Sequence, residues 1–353
     1  MDGEKQNVCS KIKNVSRETF SRRRAMFHVK QCVKGGSGVA AAKKKKKPGK
    51  PGGLRRAALR ALLLLIGALL VAMAVQGNVV RLRCVELPLR DLPEAFDGVK
   101  IVFVSDIHLT ALNPLAKVNA VMRELEKIEP DLLLLGGDYT GNDVIGRLVS
   151  QGRGELFGAK QSETRGLFFL SLADFPASLG KFAVAGDMDN LLERSATMAL
   201  EDAASLGGVT LLRDSSARVT KGGQSIALVG VDDWRTGVQN TRTPARGMRS
   251  NDCVIVISHS PEAIPQLAAQ PGEDGGRWID AALTGHTLGG QIRVGGYEVF
   301  SPLAGDERYG AGWRVENGVK RLVSEGLCGG FLPLRWGTSA EVHVITLRRQ
   351  TGE

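Results

Sequence analysis

The chain has 353 residues and a formal net charge of +10, enough length for one large domain beside a tail. The charge is unevenly placed. Residues 1–60 hold 18 Lys and Arg against three acids, a net of +15, leaving 29 basic and 34 acidic residues beyond them, a net of −5. A net-negative body repels a polyanion, so nucleic acid is an unlikely partner, and the basic tail reads instead as a membrane-topology signal.

The tail, residues 1–56, mixes Lys, Arg, Gly and Ser around the run Lys43 to Lys47 and shows no apolar periodicity. It is expected to be disordered. Residues 57–80 follow as a transmembrane anchor or signal segment: Ala61 to Val75 is uncharged and almost wholly aliphatic, and extension to Val80 gives a length that suffices for a bilayer span. Ala72-Met73-Ala74 offers a signal-type cleavage site, yet the basic region is far longer than a signal n-region, which favours an uncleaved anchor. Arg55, Arg56, Arg60 and the lysine run place the N-terminus in the cytoplasm and the remaining domain on the far side of the cell membrane, as a single-pass protein.

From residue 84 to 348, apolar runs of strand length alternate with helical stretches. Strands are expected at Ile101–Ser105, Leu132–Leu135, Phe182–Ala185, Ile226–Gly230, Val254–Ser258 and Ala281–Thr284, and a helix at Asn113–Ile128 from the spacing of Leu115, Val118, Val121, Met122 and Leu125. Near-continuous apolar strands imply burial on both faces, hence covering helices and a layered α/β fold, expected to be built on two sheets, with a C-terminal third richer in strand. Gly141 to Gly180 reads as a surface insertion or a substrate cap. The five cysteines are odd in number, widely spaced and without a C-x-x-C pair, and Cys253, opening an apolar run, is expected to be an inert core residue.

Chemistry concentrates at the strand ends. Asp106-Ile107-His108, Gly137-Asp138, Ser258-His259 and Gly285-His286 each follow an apolar run and use three of the five histidines. Asp106 and His108, two apart beyond a strand, project to the same side and can grip one ion. Asp138 follows two glycines that let the backbone turn closely, freeing its carboxylate to bridge two metals. His259 and His286 complete a donor set of the kind divalent metals take.

Taken in order, Ile101 to His108, Leu135 to Asp138, Ala185-Gly186-Asp187-Met188-Asp189, Ser258 to Pro261 and Thr284 to Gln291 resemble the five blocks of the calcineurin-like metallophosphoesterases, closest to the bacterial membrane-anchored branch. The resemblance covers residues 84–348. It implies a four-layer αββα sandwich of two mixed β-sheets flanked by helices, and a centre of two divalent metal ions (Mn, Fe, Zn or Mg) that hydrolyses phosphate esters or pyrophosphates, lipid-linked ones included, with a metal-bound hydroxide. It further implies that Asp106 and His108 hold the first ion, that Asp138 bridges both, and that Asp187, His259 and His286 hold the second. Asp138, Asp187 and Asp189 are the implied catalytic residues, and the substrate is a phosphorylated small molecule or lipid.

Two departures from the family pattern bear on catalysis. The G-N-H-D block reads Gly186-Asp187-Met188-Asp189, and the G-H-T-H block reads Gly285-His286-Thr287-Leu288. Asp187 can replace an asparagine ligand but lowers the formal charge of a two-ion site from about +2 to about +1, weakening its pull on phosphate. Met188 cannot donate a proton to a leaving group, which predicts a rate lower by about 10² to 10⁴. Leu288 removes an imidazole from the first ion, leaving three protein ligands. The competing expectation is a degenerate member that serves as a metal or phospho-ligand binding module. Whether Asp306, Glu307 or Tyr309, after the last block, replaces a lost group is not decided by the sequence.

Overall fold

The computed structural model describes residues 52–141, 154–193, 196–300, 309–329 and 334–350. The chain forms two compact units, Met1–Ala72 and Met73–Glu353. Most of the basic tail, including the lysine run, lies outside the described residues, as do Asp306 and Glu307.

Helix α1 (Gly52–Asn78) carries the apolar segment as one continuous element. Its stretch Arg55–Asn78 is long and apolar enough to cross a membrane, and Leu62 to Ile66, Leu69, Leu70 and Val71 are exposed. The last residues of the helix, Met73 to Asn78, belong to the second unit, where the Met73 carbonyl accepts the Arg335 N–H at 3.1 Å and Gln76 donates to the Thr338 carbonyl at 2.9 Å. Strand β1 (Val80–Leu89) begins ahead of the expected domain start at residue 84.

The chain then runs β2 (Lys100–Val104), α2 (Leu115–Glu126), β3 (Leu132–Leu135), α3 (Gly154–Leu170), β4 (Lys181–Ala183), α4 (Asp187–Glu193), α5 (Leu200–Leu206), β5 (Thr210–Leu211), β6 (Ser215–Lys221) and β7 (Gln224–Gly230). It continues through α6 (Arg242–Ala245), β8 (Val254–Ser258), α7 (Ala263–Ala268), β9 (Ala281–Thr284), β10 (Ile292–Val294), β11 (Tyr297–Phe300), β12 (Gly312–Glu316), β13 (Val319–Val323) and β14 (Ala340–Arg349). Two six-stranded sheets result, ordered β1-β14-β2-β3-β4-β5 and β12-β13-β9-β8-β7-β6, with β10 and β11 as a separate ribbon. In the first sheet β14 runs antiparallel to β2, while β2 through β5 are parallel. In the second, parallel β7, β8, β9 and β13 are flanked by antiparallel β6 and β12.

Alternation along the strands builds the layers. Ile101, Phe103, Leu132 and Leu134 share one apolar cluster with Ile226, Leu228, Ile255, Ile257 and Leu283, the core between the sheets. On the outer side of the second sheet, Ala227, Val229, Val254 and Val256 pack with Ala245 and Met248 at α6 and with Ile264 and Leu267 of α7. Each such residue contributes about 1.5–3 kcal/mol on leaving water. On the first sheet the intervening Val102, Val104, Leu133 and Leu135 are equally buried, as are Val118, Met122 and Leu125 of α2. The fold is the expected α/β arrangement of two mixed sheets flanked by helices. Cys253 is 2% exposed within the central cluster, and burial pushes its thiol up, so it is inert as expected.

The stretch 141–180 differs from its expectation as an insertion or cap. Residues 142–153 lie outside the description, but α3 is part of the core: Phe168, Phe169 and Leu172 are fully buried, and Phe169 packs edge-on against Tyr139 at 4.8 Å between ring centroids. Glycines at 154, 158 and 166 and a polar middle concealed the helix, whose apolar residues fall at its two ends, Leu156-Phe157 and Leu167 to Leu170.

Candidate metal centre

Parallel strands present their carboxyl ends together, which is where α/β sheets build sites. Strands β2, β3 and β4 are parallel neighbours, so the residues just beyond them, Asp106, Asp138 and Asp187, stand side by side. From the second sheet β8 and β9 supply His259 and His286. Asp106, His108, Asp138 and His286 all have left-handed backbones, with φ of 51°, 45°, 55° and 69°. Each costs about 1–2 kcal/mol for a residue with a Cβ, and such strain gathers where geometry serves a site. Backbone bonds impose it: Asp106 N–H donates to Gly137 at 3.1 Å, His108 N–H to Asp138 at 2.9 Å, and Cys328 N–H to Asp106 at 3.0 Å. Gly186 is required beside them, because a Cβ there would strike Asp138 Oδ1.

Two groups of donor atoms converge. Asp138, Asp187, His259 and His286 each offer one atom, all within 4.8 Å of one another, and Asp106, His108 and Asp138 form a second such group. Asp138 Oδ2 is common to both, 3.7 Å from His108 Nε2 and 3.5 Å from His259 Nε2. Asp187 Oδ1 lies 3.3 Å from both His259 Nε2 and His286 Nδ1. Asp106 is aimed by the His286 N–H, which reaches its two oxygens at 3.1 and 3.2 Å.

The donor set fits divalent cations. His259 Nδ1 lies 2.8 Å from the Gly136 carbonyl, which fixes a proton there and turns Nε2 towards two carboxylates and towards His286 Nδ1, 3.1 Å away. Against burial, the charge of Asp138 and the bonds to Asp138 and Asp187 hold the pKa of this imidazole well above its ordinary range, and a bound cation would take the place of the Nε2 proton. Asp187 Oδ1 is buried, with the His259 and His286 ring nitrogens each 3.3 Å away. Carboxylates and imidazoles crowded in this way need protons or a cation among them. Burial lowers the His108 pKa, favouring the neutral, ligating form. Burial would raise Asp187, but bonds and charge from His259 and His286 hold it below the ordinary carboxylate range.

Asp189 is placed differently from the other two acids of the expected catalytic set. It is fully buried and accepts the N–H groups of Asp138 at 2.8 Å, Tyr139 at 3.2 Å and Gly186 at 2.9 Å. Burial pushes it up to about 6, against the charge of Arg165 and these backbone donors. Met188, through its N–H, donates to Asp138 Oδ1 at 2.9 Å, so the backbone of the altered block still orients the shared carboxylate. Leu288 is 1% exposed with a left-handed φ of 52°. Arg321 lies over the Tyr309 ring at 5.0 Å.

Arg335 was not legible in the sequence. Its buried guanidinium donates to the carbonyls of Leu288, Ser339, Glu325, Gly326 and Cys328, and its charge reaches His108 and Asp106. Five carbonyl partners carry no signal in side-chain letters; only its solitary place in an otherwise apolar run, between Leu334 and Trp336, marks it.

The comparisons agree with this geometry. Residues 99–290 match the family model described as calcineurin-like phosphoesterase. Among curated relatives, the uncharacterized protein YpbG of Bacillus subtilis is 34% identical over 140 residues, 40% of this chain and 49% of that protein. The phosphodiesterase YaeI of Escherichia coli is 26% identical over 70% of this chain and 82% of its own length. A zebrafish (Danio rerio) transmembrane protein with metallophosphoesterase domain is 27% identical over 59% of this chain and 44% of its own length. The chain thus spans half or less of two of these relatives. With more than half of its length matched and the blocks assembled around one carboxylate, the chain belongs to the calcineurin-like phosphoesterase family.

Proposed function

We propose that this protein is a membrane-tethered phosphoesterase that uses two divalent metal ions to hydrolyse phosphate esters or pyrophosphates, including lipid-linked ones, at a reduced rate. The observation that carries the reading is Asp138 Oδ2, shared by the two donor groups. In this reading Asp106, His108 and Asp138 hold the first ion, and Asp138, Asp187, His259 and His286 the second. Bound there, divalent ions supply a water of lowered pKa and positive charge for the phosphoryl oxygens. The chain's own residues orient that chemistry. His259 is fixed by Gly136, Asp138 by the Met188 N–H, and Asp189 acts as a positioning residue through the backbone of Asp138 and Tyr139.

Helix α1 supports the tether by length and composition, and the basic residues preceding it support a cytoplasmic N-terminus with the domain on the far side. A tether raises the local concentration of substrates in the same bilayer. A binding module without turnover is the competing reading, favoured by Met188 and Leu288, which take both the proton donor and one imidazole from the family's site.

Metal analysis of the detergent-solubilised full chain, paired with hydrolysis of bis-p-nitrophenyl phosphate in added Mn, separates the two. Two ions per chain with turnover, both lost in Asp138→Asn, are expected. Bound metal with no turnover would establish the binding module instead, and fewer than one ion per chain would overturn the assignment of the centre.

A further inference from the structure

Strands β10 and β11 form a ribbon apart from both sheets, immediately after the loop of His286. Arg293 pairs with Glu298 across the ribbon; Arg293 is half-buried, with a Cβ on Gly337 standing 3.1 Å from its own Cβ, whereas Glu298 is exposed. Val294 stands opposite Tyr297, and Val299 follows at the register shift between the two strands. These three are 55%, 78% and 65% exposed. Exposed apolar side chains gathered on one short ribbon mark a contact surface for a partner or a membrane.

The base of the ribbon is tied to one loop. Arg293 N–H donates to the Trp336 carbonyl at 2.7 Å and Trp336 N–H to Gln291 at 3.2 Å, with Trp336 itself 37% exposed. That loop also holds the end of α1, through Arg335 N–H to Met73 and Gln76 to Thr338. The apolar ribbon and the last turns of the apolar helix are thus fastened to neighbouring residues of one segment.

We infer that Val294, Tyr297 and Val299, with Trp336 at their base, insert into the headgroup boundary of the bilayer that α1 spans, setting the mouth of the metal centre beside lipid-borne phosphate. This inference rests on the membrane-anchor reading above. Tyrosine and tryptophan favour that boundary because a polar tip and an apolar body are both satisfied there. The short ribbon, unstable alone, gains a second support from the lipid.

Photolabelling tests it without relying on turnover. The full chain is reconstituted in vesicles of phosphatidylethanolamine and phosphatidylglycerol doped with a phosphatidylcholine carrying a diazirine in its acyl chain, irradiated, digested with trypsin and mapped by mass spectrometry. Lipid adducts are expected on peptide 61–81, from α1, and on peptide 294–308, which begins with the ribbon. The triple variant Val294→Asp, Tyr297→Asp, Val299→Asp should lose about tenfold or more of the second set while keeping the first. Adducts on 61–81 alone in the parent protein would overturn the ribbon proposal and leave the anchor standing. Adducts on neither peptide would overturn the anchor reading as well. Cross-links joining 294–308 to a second copy of the chain, in place of lipid, would assign the face to self-association and overturn the proposal.

Discussion

At the scale of single residues, the two donor groups are unequal. Four side chains form one and three the other, and in the proposed reading Leu288 stands where the smaller group would gain an imidazole. Leu288 already has a left-handed backbone, a conformation histidine tolerates comparatively well. Leu288→His is therefore expected to tighten the weaker ion by about 10- to 100-fold, read as metal per chain during titration. Adding Met188→His should raise the hydrolysis rate by up to about 10² to 10⁴; an unchanged rate and unchanged stoichiometry would show that these side chains do not face the centre. The clustered donors were legible because each stands in a short block whose letters encode the chemistry. The role of Asp189 was not. Its letter fits the catalytic block, but its partners are backbone N–H groups, which no sequence displays.

At the scale of elements, strands β2, β3, β8 and β9 were legible because burial on both faces makes them uniformly apolar. Strand β6 was not: it is an edge strand whose inner and outer faces alternate in exposure, and its sequence of Ser, Arg, Thr and Lys resembles a loop. Strand β5, with two residues, is too short to leave a pattern. Asp280 shows how neighbouring strands are joined, since its Oδ2 accepts the N–H of Val254 at 2.9 Å at the start of β8. Burial pushes Asp280 up to about 6 from an ordinary 3.8, against that bond. The folded state therefore holds this proton more tightly than the unfolded chain. The contribution is most favourable below the ordinary value and is lost as pH rises through about 6. Asp280→Asn should remove that loss, leaving the variant more stable than the parent by about 1–3 kcal/mol near pH 8 and close to it near pH 4. Denaturant unfolding at the two pH values decides this, and a stability difference that does not grow with pH would rule out the buried charge as its cause.

At the scale of the whole domain, the donors come from both sheets: Asp106, His108, Asp138 and Asp187 follow strands of one, His259 and His286 strands of the other. An ion bound by Asp138, Asp187, His259 and His286 would fasten the two layers together. At free metal near 100 times its dissociation constant the linkage contributes about 2.7 kcal/mol, so EDTA is expected to lower the unfolding temperature by about 5–10 °C, and excess Mn to restore it. Equal melting curves with and without chelator would contradict ions shared between the sheets. The spread of the donors along the chain, from residue 106 to residue 286, has a further consequence. The first donor group is complete by residue 138, but no partial chain that stops short of residue 286 holds the complete second group, so the ion taken there cannot be chosen until both sheets have closed. Selectivity then reflects which cation is abundant in the compartment where folding ends, since nitrogen and oxygen donors alone rank the first-row metals in nearly the same order everywhere.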